Sequence, residues 1–347
     1  MKETGYQRRA FIKTAALSGI GIALSGPLSR ALASSSLKGG RIGVIGLDTE
    51  HGPHFAKILN DPNAGDKYGG LRVVAAYPYG SRSIKSSVDS IPGHTEAIKK
   101  QGVKIVDSIE ALLKEVDVVM LETNDGREHL QQALQVFKAG KPVFIDKPVA
   151  ASLVDVLTIY RAAKHYNVPV FSSSTLRYIE SVQEVAGGKI GKVKGVDIFT
   201  PAPMEPTHPD LYWYGIHGVE MLFTMLGPDC KSVSRVYTPD TDLVVGTWEG
   251  GRIGTLRGNR NGTWDFGGHA FGEKGHMPLG NFTGYAPLMP PIINFFETGK
   301  SPADPAETIG IYAFMEAAQE SRTKNGATVS IDAIMKRCTK KSMKNSI

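Results

Sequence analysis

Cysteine is nearly absent: Cys230 and Cys338 are the only two in 347 residues. Two cysteines cannot build a disulfide scaffold or a zinc cluster, and leave room for one bridge at most. No run of 18 or more strongly apolar residues occurs, which excludes a multi-pass membrane protein. Internal repeats and low-complexity tracts are missing too, and the 39 Gly and 20 Pro are scattered as punctuation. An excess of one charge is also lacking once the N-terminus is set aside. The formal charge is +6, but residues 1–33 hold five of the 40 basic residues and only one of the 34 acidic ones. The remainder is close to neutral and gives no footprint for a nucleic-acid partner. What is present is a 41% hydrophobic, 21% charged chain, long enough for about two domains of roughly 100–200 residues.

The first 33 residues read as an export signal. Gln7-Arg8-Arg9-Ala10-Phe11-Ile12-Lys13 resembles the twin-arginine consensus, a modestly apolar stretch runs from Thr14 to Leu28, and Ala31-Leu32-Ala33 makes an A-x-A cleavage pattern. The order of these features predicts a mature chain beginning at Ser34 outside the cytoplasm, in the periplasm or beyond. The partner it implies is a bacterial twin-arginine exporter, which carries folded proteins and so suits one that takes up a cofactor first.

From residue 38 to 173 short Ile/Val-rich runs alternate with amphipathic ones. Strands are expected at 41–46, 71–77, 116–121, 142–145 and 168–172. Helices are expected at 53–59, 109–114, 128–138 and 153–166, with Asp107 or Ser108 capping the second. Alternation at this spacing predicts an α/β fold, a doubly wound parallel Rossmann sheet. The pattern then changes. Residues 174–347 offer helices at 180–186 and 213–226 and strand-like runs at 193–199, 232–238, 243–248 and 253–257, with a hairpin turn at Glu249-Gly250-Gly251-Arg252. Strands in succession without crossover helices predict an α+β domain with an open, mostly antiparallel sheet. A helix near 305–321 is expected to pack back on the first domain.

The first strand and its turn, GVIGLDTEHGPHF, stand where a dinucleotide fingerprint would. A G-x-G-x-x-G pattern starting at Gly46 requires glycine at 48 and 51, yet the chain has Asp48 and His51. The second glycine ordinarily lets the backbone approach the pyrophosphate, and a carboxylate there repels it. The alternative is that Asp48 or Thr49 caps the helix and fills the anion position itself.

A wider resemblance covers most of the chain after the leader. Residues 119–148, VMLETNDGREHLQQALQVFKAGKPVFIDKP, resemble the Gfo/Idh/MocA oxidoreductases, the family of glucose–fructose oxidoreductase and inositol dehydrogenase. His129 stands at the family's His, and Asp146-Lys147-Pro148 at its E-K-P. Gly215-Ile216-His217 with Glu220 resembles G-x-H-x-x-D, while Gly272-Glu273-Lys274-Gly275 and FFETGKSP (295–302) match the usual layout. The resemblance implies an NAD- or NADP-dependent enzyme that can keep its cofactor bound. It also implies a sugar or polyol substrate and a homo-oligomer formed through the open sheet. By the same resemblance Lys147 and His217 are catalytic, and Gly46, Thr49, Asn124, His129 and Lys147 hold the cofactor.

Two departures follow from the same comparison. Trp213 stands four residues before His217, where the family has Asp, so Tyr214 becomes the candidate replacement. The second strand ends in Tyr77-Pro78-Tyr79-Gly80 with no acid for a ribose 2′-hydroxyl, and Ser81-Arg82-Ser83 follows. Arg82 either pairs with the 2′-phosphate of NADP or belongs to a solvated turn. Around His217, helical spacing predicts a shared face with Tyr214, Gly218 and Met221, Trp213 alongside, and Glu220 orienting the ring. Arg177, Tyr178, Trp213 and Glu220 are the candidate substrate contacts, with a structural ion pair as the alternative for Arg177; Trp248 and Trp264 are expected in the core. Metal-ligand spacing is lacking as well: His208, His217, Glu205 and Glu220 fit no standard ligand set, so no metal is expected. Two other functions stay open. One is a redox-assisted NAD-dependent glycosidase or lyase. The other is a non-catalytic carbohydrate-binding protein with a decayed cofactor site.

Overall fold

The computed structural model describes Leu37 and residues 39–347; the predicted export signal lies outside them. The first sheet is built from β1 (Arg41–Ile45), β2 (Arg72–Tyr77), β3 (Lys104–Ile105), β4 (Val118–Leu121), β5 (Val143–Ile145) and β6 (Val170–Phe171). Its strand order is β3-β2-β1-β4-β5-β6, and every pairing is parallel. That is the doubly wound Rossmann order, with the switch point between β1 and β4. β4 and β5 are buried at every position, as a sheet covered on both faces requires.

The crossovers are α1 (His51–Leu59), α2 (Lys85–Lys99), α3 (Ile109–Glu115), α4 (His129–Lys138) and α5 (Leu153–His165). In α4 the buried residues His129, Gln132, Ala133, Val136 and Phe137 make one stripe. Ser108 rather than Asp107 caps α3, accepting from the Ala111 amide. The sequence pattern missed α2, which holds Pro92 and buries only Ser87 and Ile98, so it has almost no apolar period to detect.

The second layer follows α6 (Glu180–Ala186): β7 (Val193–Pro201), α7 (Asp210–Trp213), α8 (Ile216–Leu226), β8 (Cys230–Tyr237), β9 (Thr241–Trp248), β10 (Ile253–Asn259), β11 (Gly267–Gly272) and β12 (Gly275–Leu279). The chain ends with α9 (Met289–Thr298), α10 (Pro305–Thr323), β13 (Val329–Ser330) and α11 (Ile331–Ser342). The seven strands run β12-β11-β7-β10-β9-β8-β13, all antiparallel except β10 against β7. The expected helix over 213–226 is two pieces, because Tyr214 (φ −136°) leaves helical geometry between α7 and α8. Helix α10 touches the end of β5: the Tyr312 hydroxyl accepts from the Val149 amide just after that strand. Cys230 and Cys338 are both buried and unbridged.

Candidate active site

The turn from β1 into α1 comes first. Gly46 has φ +91°, and a Cβ there would lie 2.6 Å from the Thr123 amide nitrogen, so only glycine lets β1 and β4 end this close together. Asp48 is buried, and its carboxylate accepts from the amides of Ser81 (2.7 Å) and Asn124 (3.1 Å). Neither Asp48 nor Thr49 is the helix cap residue, which is Glu50; Thr49 Oγ1 accepts from the His51 amide at 3.2 Å. Asp48 thus ties the ends of β2 and β4 to the turn. Burial raises its pKa above the ordinary value, with the two backbone amides opposing that rise.

The C-terminal ends of β4 and β5 carry the reactive groups. Glu122 and Asp146 stand side by side on adjacent strand ends, with Lys147 next in the chain. His51 Nδ1 lies 2.6 Å from Asp146 Oδ2 and 3.9 Å from Glu122 Oε2. Burial pushes the Glu122 pKa well up, and the like charges of Asp146 and Asp48 add to this. Burial lowers the pKa of Lys147 while Asp146 and Glu122 hold it up.

The second domain presents His217 to this edge from the first turn of α8. Lys147 Nζ is 5.6 Å from the centre of the Tyr214 ring, and that ring meets His217 edge-on at 5.0 Å. The break at Tyr214 lets its ring reach both groups. Burial drives the His217 pKa well below its usual value, and the Lys147 ammonium adds to the shift, so the imidazole is neutral and able to accept a proton. Its Nδ1 is 2.7 Å from Ser174 Oγ. The orienting partner is therefore Ser174, not Glu220. Phe266 and Trp264 complete the wall, at 5.7 Å from His217 and 4.9 Å from Tyr214. Trp264 is 61% exposed rather than in the core, whereas Trp248 is fully buried there.

Other candidates stand elsewhere. Glu220 accepts from Ser173 Oγ (2.6 Å), the Ser174 amide (2.8 Å) and Arg177 Nε (2.9 Å). Arg177, itself buried, also pairs with Glu307 of α10. Burial works to lower its pKa, and the two carboxylates overcome that and raise it. Arg177 and Glu220 are thus a buried structural pair, not open substrate contacts: an interior charge must find its counter-charge nearby. His129 is likewise closed off, with Nε2 2.6 Å from the Thr123 carbonyl and Nδ1 3.2 Å from that of Val149; the neutral ring has one N–H and donates to one of them. It sits between the loops after β4 and β5. Trp213 packs on His208 at 5.2 Å instead of flanking His217. Tyr178 packs against the core of the first domain. Arg82 is exposed after β2, and the Asn124 side chain donates to Ser87 Oγ at 3.2 Å. Sequence reasoning overlooked Ser174, Glu122 and His51 as partners, because the fold and not the spacing brings them in.

The Rossmann strand order, with its switch point between β1 and β4, suits a dinucleotide. Glu122 and Thr123 Oγ1 supply buried polar atoms there without hydrogen-bond partners. The residues fit the group with one change of partners: Asp48 holds the Ser81 and Asn124 amides that an anion would take.

Residues 41–174 match the family model described as "Oxidoreductase family, NAD-binding Rossmann fold". Over 123 residues the chain is 31% identical to inositol 2-dehydrogenase of Rhodococcus erythropolis, a match covering 35% of this chain. It spans about a third, 31%, of that relative's length. Among solved structures, scyllo-inositol dehydrogenase of Lactobacillus casei superposes with a TM-score of 0.69 at 16% identity, over 86% of this chain and 99% of that one. An oxidoreductase of Agrobacterium radiobacter, solved with NAD+, L-tartaric acid and magnesium, gives 0.64 at 17% identity, over 85% and 99%. Residues 41–174 are thus similar to the NAD-binding Rossmann domain of the Gfo/Idh/MocA oxidoreductase family, and the chain as a whole shares the two-domain fold of these solved structures.

Proposed function

We propose that the protein is an exported NAD(P)-dependent oxidoreductase acting on a hydroxyl of a sugar, polyol or related carbohydrate. One observation carries this reading: Lys147 from the Rossmann edge and His217 from α8 both lie against one ring, Tyr214, at 5.6 and 5.0 Å from its centre. Neither domain supplies both groups. The names of the relatives favour a polyol, and Gln7–Lys13 with Ala31-Leu32-Ala33 favours export. On the outward face of the second sheet Phe199, Ile253 and Phe271 are 39–49% exposed, which supports pairing with a second copy.

A bound nicotinamide supplies the acceptor for hydride. Gly46, Thr49, Asn124 and Lys147 would hold it along the sheet edge. Lys147 donates a hydrogen bond to the substrate hydroxyl and stabilises negative charge developing on its oxygen. His217 takes the hydroxyl proton at Nε2 while Nδ1–H donates to Ser174 Oγ, which fixes the tautomer. Trp264 and Phe266 give the sugar an apolar wall and limit water beside the imidazole. Tyr214 lies beside the ammonium, where its ring favours the cation.

The test is turnover of a panel of sugars, polyols and aryl glycosides, following nicotinamide absorbance and released aglycone together. Reduction of nicotinamide that depends on a sugar or polyol is expected. Aglycone release without net reduction would replace the dehydrogenase with a redox-assisted glycosidase. Failure of the chain to bind either nucleotide would end the reading.

A further inference from the structure

Three side chains at the sheet edge have no part in the proton path above. Glu122 ends β4, Asp146 follows β5, and His51 opens α1. Adjacent parallel strands set the two carboxylates beside each other, and the β1–α1 turn lays the imidazole against them. One ligand atom from each lies within 4.8 Å of the other two. The His51 ring is walled by Tyr285, centroid to centroid 4.8 Å, and by Phe55 at 5.7 Å.

Glu122 is the decisive group. It is completely buried, and neither carboxylate oxygen has a hydrogen-bond partner. Buried polar atoms are paired as a rule, and an exception points to a water, an ion or a ligand that belongs there. A single proton would not resolve it, because the resulting O–H would itself need an acceptor and the second oxygen would still need a donor. The like charges of Asp146 and Asp48 also bear on Glu122; the Lys147 ammonium opposes them, but three buried carboxylates stand against that one ammonium, so a further cation is the complementary partner.

We propose that His51 Nδ1, Glu122 and Asp146 bind one divalent transition-metal cation. One imidazole and two carboxylates suit zinc or manganese and lack the thiolates that softer ions seek. Ligand atoms about 2.0–2.2 Å from zinc stand about 3.3 Å apart in a tetrahedral site. The present separations from His51 Nδ1, 2.6 Å to Asp146 and 3.9 Å to Glu122, bracket that spacing. Three protein ligands leave a further coordination position open, and the ion balances both carboxylates. Neither the periodicity nor the spacing of the sequence signals this set, since its members come from three separate βα units.

The test is titration of the chelator-stripped full chain with Zn2+, Mn2+ or Co2+ alone, read by calorimetry and, for cobalt, by visible absorption. It needs no nicotinamide and stands apart from the redox reading. An exposed pair on the other sheet, His269 Nε2 at 2.8 Å from His276 Nδ1, can also take metal, so the parent for all titrations is His269→Gln. Expected is one equivalent bound by the parent, weakened at least about tenfold in Glu122→Gln, the lower end of what even an outer-shell change costs. His51→Gln should weaken binding in the same way, and it carries the comparison if Glu122→Gln does not fold. Absence of saturable binding of all three ions would overturn the proposal. So would equal affinity in the parent and in whichever of these variants folds.

Discussion

Replacing Asp48 by Asn tests whether the acidic turn opposes the nucleotide that the strand order invites. The carboxylate is buried at the start of the β1–α1 turn and already holds the Ser81 and Asn124 amides. A phosphate brought to those amides meets a like charge at close range. At an effective dielectric constant near 20 and a separation of about 5 Å, unit charges repel by about 3 kcal/mol. Relaxation and partial protonation reduce this, so Asp48→Asn should bind NAD about 10–100-fold more tightly, at about 1.4 kcal/mol per factor of ten. Stability should move the other way. The amide keeps one acceptor oxygen, so one hydrogen bond to a charged acceptor is lost, about 1.5–3 kcal/mol. Burial raises the Asp48 pKa, so lowering the pH neutralises the wild-type carboxylate and should tighten NAD binding. In Asp48→Asn that pH dependence should be weaker. The assay is calorimetric titration of NAD at several pH values, with urea unfolding of both proteins. Equal or weaker binding by Asp48→Asn would refute the repulsion.

Other outcomes follow from the same geometry. Arg177→Ala strands Glu220 and Glu307 in the interior, so urea unfolding should show a loss of about 3–5 kcal/mol; a loss under about 1 kcal/mol would make the pair incidental. Burial lowers the His129 pKa below its ordinary 6.5. The folded state therefore resists its protonation, and the stability tied to its neutral form is complete above pH 6.5 and declines as the pH falls from there. The stability difference between wild type and His129→Gln should accordingly shrink between pH 7 and 5, and a constant difference would contradict the buried neutral ring. Arg82→Ala should weaken NADP about 10–150-fold with little change for NAD if Arg82 reads the 2′-phosphate; equal effects on both would show that it does not.

The parallel sheet was legible because β4 and β5 are unbroken apolar runs and β1 is one after Arg41, and the α4 stripe from His129 to Phe137 keeps strict helical spacing. Helix α2 was not, since its sequence KSSVDSIPGHTEAIK has Pro92 inside it and a sparse apolar face. Strands β11 and β12 escaped for a related reason: glycines and a histidine dominate β11, β12 holds a glycine, a histidine and a proline, and the GEKG turn showed only that a turn was there. At the site, the resemblance of Asp146-Lys147-Pro148 and Gly215-Ile216-His217 to family motifs put Lys147 and His217 forward. Their partners were hidden, because contacts such as Ser174 on His217 join residues 43 apart. Spacing on an assumed continuous helix gave Glu220 and Trp213 to His217. The kink at Tyr214 and the pull of Arg177 on Glu220 redirected both.

The measurement closest to the centre of this reading is single-turnover hydride transfer, with protein in excess over NAD or NADP and a sugar or polyol that the wild type oxidises. Absorbance of the reduced nicotinamide should rise once per nucleotide bound. Lys147→Ala and His217→Ala should each slow the rise by about 10²–10⁴ while keeping the fold and the nucleotide affinity. A rise as fast in His217→Ala as in the wild type would contradict the meeting of Lys147 and His217 as the reactive centre.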